Sequence, residues 1–167
     1  GDEAARVAEH IRTRFGGEVQ PILVPDPKHV AAALGEAELL LNAGPAGVQL
    51  VPRDAWSNLP KLRVVADLNA VSPATVAAVA EALGGLDFVD GSISGPPPDG
   101  GGGTRIYLSG ARAGEIAALE APGIAWRVVG DAPGLASAVK MCTASVYKGR
   151  VALLAQALRA ARAHGVV

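Results

Sequence analysis

The chain has 167 residues, half of them apolar, which is enough to form the core of a single domain. Its net charge of −1 and its aromatic content of 4% argue against a nucleic-acid partner, because such partners are bound by basic stripes and stacking side chains. Its apolar runs are shorter than the roughly 20 residues that span a bilayer, so we expect a mature cytoplasmic protein outside the membrane. A lone cysteine and three scattered histidines predict no metal site, and Cys142 is expected to be buried in a helix.

The predicted elements alternate between helices and short strands. In chain order they are a helix over 4–15, a strand over 18–24, a helix over 26–33, strands over 38–42 and 63–68, a helix over 73–83, strands over 86–93 and 104–108, a helix over 111–119, a strand over 126–129 and a long helix over 133–164. The helix at 73–83 has the clearest start, since Ser72 can cap it and Pro73 occupies its first position.

Strands that alternate with helices predict a three-layer α/β domain with a mainly parallel sheet, because parallel strands need crossover helices. We place this domain at 1–132 and the long helix at 133–167. At 1.5 Å per residue that helix is about 45 Å long, which is more than one small domain can cover. We therefore expect it to pack on the domain or on a second subunit, which favours a homo-oligomer.

The strand and helix around 64–73 place polar side chains at the carboxyl end of a strand, where open α/β sheets bind small molecules. A dinucleotide site also needs a glycine-rich turn between a first strand and its helix. No such turn follows a predicted strand, because Gly16 and Gly17 end a helix and 100–103 lies in a loop. We expect a fold that is incomplete at the N-terminus and lacks its first strand and helix.

Four motifs in the second part of the chain resemble the β-hydroxyacid dehydrogenases, NAD(P) oxidoreductases that include 6-phosphogluconate and 3-hydroxyisobutyrate dehydrogenase-like enzymes. They are DLNAVSP at 67–73, VDGSISGP at 89–96, TRIYLSG at 104–110 and GLASAVKM at 134–141. The resemblance covers about residues 67–167. It implies a Rossmann-like domain that transfers hydride between a nicotinamide and a small hydroxy acid or related carbonyl.

This resemblance also implies roles for individual residues. Lys140 is expected to be the catalytic acid/base, and Ser94 with Gly95 is expected to hold an anionic group of the substrate. Two positions depart from the family pattern: Ala144 stands where an asparagine is usual, and Pro96 replaces a second glycine. The alternatives are a solvated helix lysine and an ordinary Ser-Gly-Pro turn.

The first part of the chain, about 4–70, is similar to the NADP-binding domain of methylene-tetrahydromethanopterin dehydrogenases. The matching pieces are LNAGPAGVQL at 41–50, DAW at 54–56 and ADLNAV at 66–71. The resemblance implies that NADP or NAD is contacted near the ends of two strands, by Asn42, Gly44, Pro45, Ala46 and Asn69.

The two resemblances meet at a seam near 67–73, so a chimeric, designed or truncated chain is one hypothesis. Three functions follow. The first is an NAD(P)-dependent oxidoreductase acting on a small-molecule hydroxy acid. The second is a methylene-tetrahydromethanopterin dehydrogenase-like NADP-binding domain. The third is a non-catalytic Rossmann-like module, which the missing glycine-rich turn favours.

Overall fold

The structure is a computed structural model, and it describes residues 5, 9, 12, 13, 34, 35, 37–43, 59, 61–97, 103–119 and 121–166. Most of the elements predicted before residue 34, and residues 44–58, lie outside the described residues. Positions 5, 9, 12 and 13 are helical, as the prediction for 4–15 requires.

From residue 37 onward, the described residues form a five-stranded sheet and three helices, which we number in chain order. They are β1 (Leu39–Asn42), β2 (Val64–Asp67), α1 (Pro73–Ala82), β3 (Asp87–Ser94), β4 (Thr104–Ser109), α2 (Ala113–Ala117), β5 (Ile124–Gly130) and α3 (Leu135–Ala163). The prediction for α1 is confirmed in detail, because the Ser72 hydroxyl accepts a hydrogen bond from the Thr75 amide at 3.1 Å. The other predicted elements from residue 38 onward are found within a few residues of their expected ends.

The strands lie in the order β1-β2-β3-β4-β5. The pairs β1–β2, β2–β3 and β4–β5 are parallel, and β3–β4 is antiparallel. The antiparallel pair follows from the short connection over 95–103, which is shorter than the dozen or more residues that a parallel crossover needs. The carboxyl ends of β1, β2 and β3 therefore share an edge of the sheet with the amino ends of β4 and β5.

Apolar side chains cover both faces of the sheet and form two clusters. The cluster between the sheet and α1 contains Val65, Val76, Val79, Leu83 and Phe88. The cluster on the α2 face contains Val64, Ala66, Leu68, Val89, Ile106, Leu108, Ala113 and Ile116. Neighbouring residues of β2 and β3 enter opposite clusters, as the two-residue period of a strand requires. The predicted three-layer α/β fold with a mainly parallel sheet and a long final helix is confirmed.

Helix α3 contacts the sheet only near its beginning, where Ala136 and Ser137 are buried. Gly149 does not interrupt it. Large apolar side chains farther along are exposed: Val146, Tyr147, Val151, Leu153, Leu154 and Leu158. The prediction that Cys142 is buried is wrong, because Cys142 lies on the exposed side of α3, whereas the next residues, Thr143 and Ala144, are half-buried. In the described ranges, no helix combines the length and apolar character that crossing a membrane requires.

Candidate functional site

The candidate site lies where β1, β2 and β3 end. Strand β3 is the longest of the three: its Asp90 pairs with Asp67, the last residue of β2, and β3 continues to Ser94. The carboxyl half of β3 therefore projects beyond its parallel neighbour. Side chains from the loops and from α3 can therefore contact this projecting half.

Asp67 joins the two asparagines that were predicted to contact a cofactor. Its side chain is buried, and its Oδ1 accepts hydrogen bonds from the Asn42 side-chain amide at 3.2 Å and the Asn69 side-chain amide at 2.6 Å. The Asn69 backbone N–H also donates to the same oxygen, at 3.0 Å. Asn42 is the last residue of β1 and Asn69 follows β2. Their contacts with Asp67 bring them together at one edge of the sheet.

Asp90 is a second buried carboxylate, and it anchors the beginning of α3. Only 1% of the residue is exposed. Its Oδ2 accepts hydrogen bonds from the backbone amides of Gly134 at 3.1 Å and Ser137 at 2.8 Å, and its Oδ1 accepts from the Ser137 hydroxyl at 2.7 Å. A carboxylate is favourable at this position because the amino end of a helix carries partial positive charge and unpaired amides.

Ser109 completes this anchor from the neighbouring strand. It pairs with Asp90 across β3 and β4, and its hydroxyl donates to the Asp90 carboxylate at 3.3 Å. The same hydroxyl accepts a hydrogen bond from the Ala136 amide at 3.0 Å. The residue at the N-cap of α3 is Gly134, which has no side chain, so two strands supply the capping groups that the helix lacks.

Lys140 lies one turn beyond this anchor, and its ammonium donates a hydrogen bond to the backbone carbonyl of Ile93. That carbonyl immediately precedes Ser94, so the predicted acid/base and the predicted anion-binding residue are brought together. Lysine carries three N–H donors, and the Ile93 carbonyl uses one of them. Two donors remain for an oxygen atom placed beside Ser94. Lys148, two turns farther along, is exposed.

Gly95 allows the chain to leave β3 in a tight bend. Its φ is +112°, and a Cβ there would lie 2.3 Å from the Gly103 carbonyl oxygen. The Thr104 hydroxyl donates to the Pro96 carbonyl and holds the two sides of the connection together. Only glycine fits this position, because both the dihedral angle and the space exclude a side chain.

Ser92 is the remaining polar residue between Asp90 and Ser94 on β3. It is fully buried, and within the described residues its hydroxyl has no hydrogen-bond partner. Buried hydroxyls are usually paired. The Ser92 hydroxyl, two residues before Ser94 on the same strand, is therefore an unusual buried polar group in this part of the sheet.

At the opposite ends of the strands, the charged side chains form ion pairs with each other. A cavity of about 160 Å³ there is lined by ionic side chains that pair with each other: Glu38, Arg63, Arg112 and Glu115. The hydrogen bond from Arg112 lowers the pKa of Glu115. The candidate site is therefore separated from the ion pairs by the length of the strands.

The described residues fit part of a nicotinamide dinucleotide site. Side-chain amides at the ends of adjacent parallel strands, with a buried carboxylate behind them, are donors and acceptors suited to a ribose or a carboxamide. Gly44, Pro45 and Ala46 lie outside the described residues. No group of three or more His, Cys, Asp or Glu side chains suited to a metal ion occurs in the part of the chain that the structure describes.

The sequence predicts roles for Asn42, Asn69, Ser94, Gly95 and Lys140, and these roles stay predictions, but the sequence does not indicate which buried residues contact them. Asp67 lies in the DLNAVSP motif and Asp90 in the VDGSISGP motif, but the resemblance implies no role for either carboxylate. Two aspartates that directly follow apolar residues within predicted strands are a usable signal, since a buried carboxylate requires donors.

No protein-family model matches the sequence. Among curated proteins, the NAD(P)-dependent methylenetetrahydromethanopterin dehydrogenase of Methylorubrum extorquens is 35% identical over 78 residues, which are 47% of this chain and 26% of that protein. Among solved structures, a conserved protein of unknown function, described as structurally similar to 3-hydroxyacid dehydrogenases, is 31% identical with a TM-score of 0.68. That match covers 95% of this chain and 57% of the other.

An imine reductase from Myxococcus stipitatus in complex with NADP+ has a TM-score of 0.67 at 19% identity, covering 98% of this chain and 63% of that chain. At that identity the likeness extends to the fold alone. Both predicted resemblances, and the Rossmann-like architecture, are confirmed by these matches. This chain spans about a quarter of the curated relative and little more than half of the solved one.

Proposed function

We propose that this chain is the NAD(P)-binding part of an oxidoreductase that moves hydride between a nicotinamide and a small hydroxy acid or related carbonyl compound. The observation that carries the proposal is the contact between the Lys140 ammonium and the Ile93 carbonyl, which places Lys140 beside Ser94. A proton-transfer group and an anion-binding loop then lie at the edge of the sheet where α/β folds bind ligands.

Each residue has a defined task in this proposal. In the oxidation direction Lys140, as the neutral amine, accepts the hydroxyl proton of the substrate, and in reduction the ammonium returns a proton to the carbonyl oxygen. Ser94 and Gly95 bind an anionic group of the substrate. Asn42 and Asn69, with Gly44, Pro45 and Ala46, hold the cofactor, which supplies or accepts the hydride when it is bound. The Ile93 carbonyl orients the ammonium, and the buried Asp90 fixes the helix that carries it.

The match to the Methylorubrum enzyme supports a second candidate, an NADP-binding domain of a methylenetetrahydromethanopterin dehydrogenase-like protein. The two candidates share the cofactor and differ in the substrate. The solved relative supports the hydroxy-acid candidate more strongly, because its match covers nearly all of this chain. A third candidate, a Rossmann-like module without catalysis, predicts no cofactor binding.

Calorimetric titration of the purified chain with NADPH and then NADH separates the two enzymatic candidates from the non-catalytic module. Micromolar or tighter binding supports an oxidoreductase and justifies a screen of small hydroxy acids. The absence of binding at millimolar cofactor contradicts both enzymatic candidates and leaves the non-catalytic module.

The role of Lys140 is tested by Lys140→Ala against Lys148→Ala, the same change at an exposed position on the same helix. General acid–base catalysis contributes about 10²–10⁴-fold, so we expect the turnover number of Lys140→Ala to fall by that factor. Lys148→Ala should stay within about twofold of the wild type. Equal turnover numbers for the two variants would contradict the assignment.

A further inference from the structure

Arg105 lies beside Ser94 on the neighbouring strand. The two residues are direct partners in the antiparallel pair of β3 and β4. Asp90 and Ser109 form another such pair four residues away along β3, and their side chains are hydrogen-bonded to each other and to α3. Because side chains alternate with a period of two, the Arg105 and Ser94 side chains stand on that same face, about 5 Å apart at their Cβ atoms.

Lys140 reaches the same place from the helix. Its ammonium binds the Ile93 carbonyl, one residue before Ser94. Ser94 of β3, Lys140 of α3 and Arg105 of β4 therefore lie at one corner of the sheet.

This corner carries positive charge that no described carboxylate neutralises. Arg105 is exposed and has no ion pair within the described ranges. The nearest carboxylate on this face of β3 is Asp90, and its oxygens are occupied by the helix amides and two serine hydroxyls. Arg127 adds a further positive charge on the adjoining strand, where it pairs with Tyr107.

We propose that Arg105 binds the carboxylate of the substrate and so restricts the reaction to small organic acids. This inference rests on the proposed function and names the substrate class of that site. The planar guanidinium of Arg105 donates two parallel N–H bonds to a carboxylate, a geometry that lysine cannot reproduce. Ser94 donates a third bond, and Lys140 is left to contact the oxygen at the reacting carbon. Neutral alcohols and ketones lack the group that Arg105 recognises.

An equilibrium experiment tests Arg105 without requiring turnover or cofactor. Malonate and the neutral malonamide are titrated into the wild type, Arg105→Gln, Arg105→Lys and Arg63→Gln, with binding followed by amide chemical shifts. Arg63 is a matched control, because it is an exposed arginine whose partner, Glu38, lies near the opposite edge of the sheet. Folding of every variant is checked by the dispersion of the same spectra.

We expect the wild type and Arg63→Gln to bind malonate equally, and malonamide not to bind. Arg105→Gln should weaken malonate binding by about tenfold, since the glutamine amide can replace only one of the two charge-assisted hydrogen bonds of the guanidinium. The malonate affinity of Arg105→Lys should lie between that of the wild type and that of Arg105→Gln. Equal malonate affinity in Arg105→Gln and the wild type, or a wild type that does not bind malonate, would overturn the inference.

A kinetic experiment then distinguishes failure of this inference from failure of the proposed function. Hydroxy acids are compared with their methyl esters, and Arg105→Gln should raise KM for the acid about tenfold while leaving KM for the ester and both turnover numbers nearly unchanged. If the variant turns over both substrates, and its ratio of KM for the acid to KM for the ester equals that of the wild type, the role of Arg105 is refuted and the oxidoreductase is retained. A chain that binds no NAD(P) refutes the oxidoreductase, and the malonate titration then decides the role of Arg105 alone.

Discussion

Two buried serines on adjacent strands offer a direct test of how α3 is attached. Ser109 and Ser92 are both 0% exposed, and they differ in hydrogen bonding. The Ser109 hydroxyl joins the Asp90 carboxylate to the Ala136 amide, whereas the Ser92 hydroxyl has no partner among the described residues. The same substitution, serine to alanine, should therefore have different effects at the two sites.

The size of each effect can be worked out from these contacts. Ser109→Ala leaves the buried Ala136 N–H unpaired, which costs about 1–3 kcal/mol, and also removes the long 3.3 Å bond to Asp90. We expect a total loss of about 2–3 kcal/mol, which lowers the melting temperature by about 4–12 °C for a chain of this length. Ser92→Ala removes an unpaired buried hydroxyl, so the free energy of unfolding should be unchanged or rise by about 1 kcal/mol.

Urea unfolding followed by circular dichroism measures both variants against the wild type. The m-values should agree, so that the difference in midpoints reports stability alone. The change in strand propensity and side-chain volume is shared by the two substitutions and cancels in their comparison. Equal destabilisation by Ser109→Ala and Ser92→Ala, or no effect of Ser109→Ala, would refute the assignment of the strand side chains as caps of α3.

Further predictions concern the bend after β3, the acid stability and the exposed helix. Gly95→Ala should lower the free energy of unfolding by about 3 kcal/mol in the same urea assay, because its Cβ would meet the Gly103 carbonyl and its φ is positive; a change below about 1 kcal/mol would contradict the described bend. The Arg112 hydrogen bond lowers the pKa of Glu115, so its contribution to stability is present above the ordinary glutamate pKa and is lost as the pH falls through the lowered value in the folded state. Melting temperatures of Glu115→Gln and the wild type should therefore differ at pH 7 and converge in acid, and a difference that grows in acid would contradict this. The homo-oligomer expected from the length of α3 stays a prediction. In sedimentation the wild type should have the mass of an oligomer, and Leu154→Asp, at a residue 60% exposed, should have the mass of a monomer. A monomeric wild type would refute the prediction.

Much of the fold could be predicted because its signals are local. Ser72 and Pro73 define the start of α1, and the short apolar runs define the strands after residue 38. The length of α3 was also readable, since its apolar and alanine content continues past Gly149. The domain boundary at 132 and the seam near 67–73 stay predictions.

The candidate site was only partly predictable, because its connections are between residues far apart in the chain. Motif resemblance brought out Ser94 and Lys140, but the contact between their elements depends on the pairing of Asp90 with Ser137. Arg105 was not singled out, since its relation to Ser94 follows from the register of β3 with β4. A register of this kind is fixed by packing and by the connection, and no short sequence pattern determines it.

The capping of α3 by two strands has a consequence for the order of folding. The groups that satisfy its first amides come from 27 to 47 residues earlier in the chain, and Gly134 offers no local substitute. We therefore expect the first turn of α3 to gain these hydrogen bonds only after β3 and β4 have paired, so that a non-local contact forms before a local element is complete. A peptide of residues 133–167 alone would begin to fray at this end, and hydrogen exchange in the whole protein should show the Ala136 and Ser137 amides opening together with the β3–β4 pair.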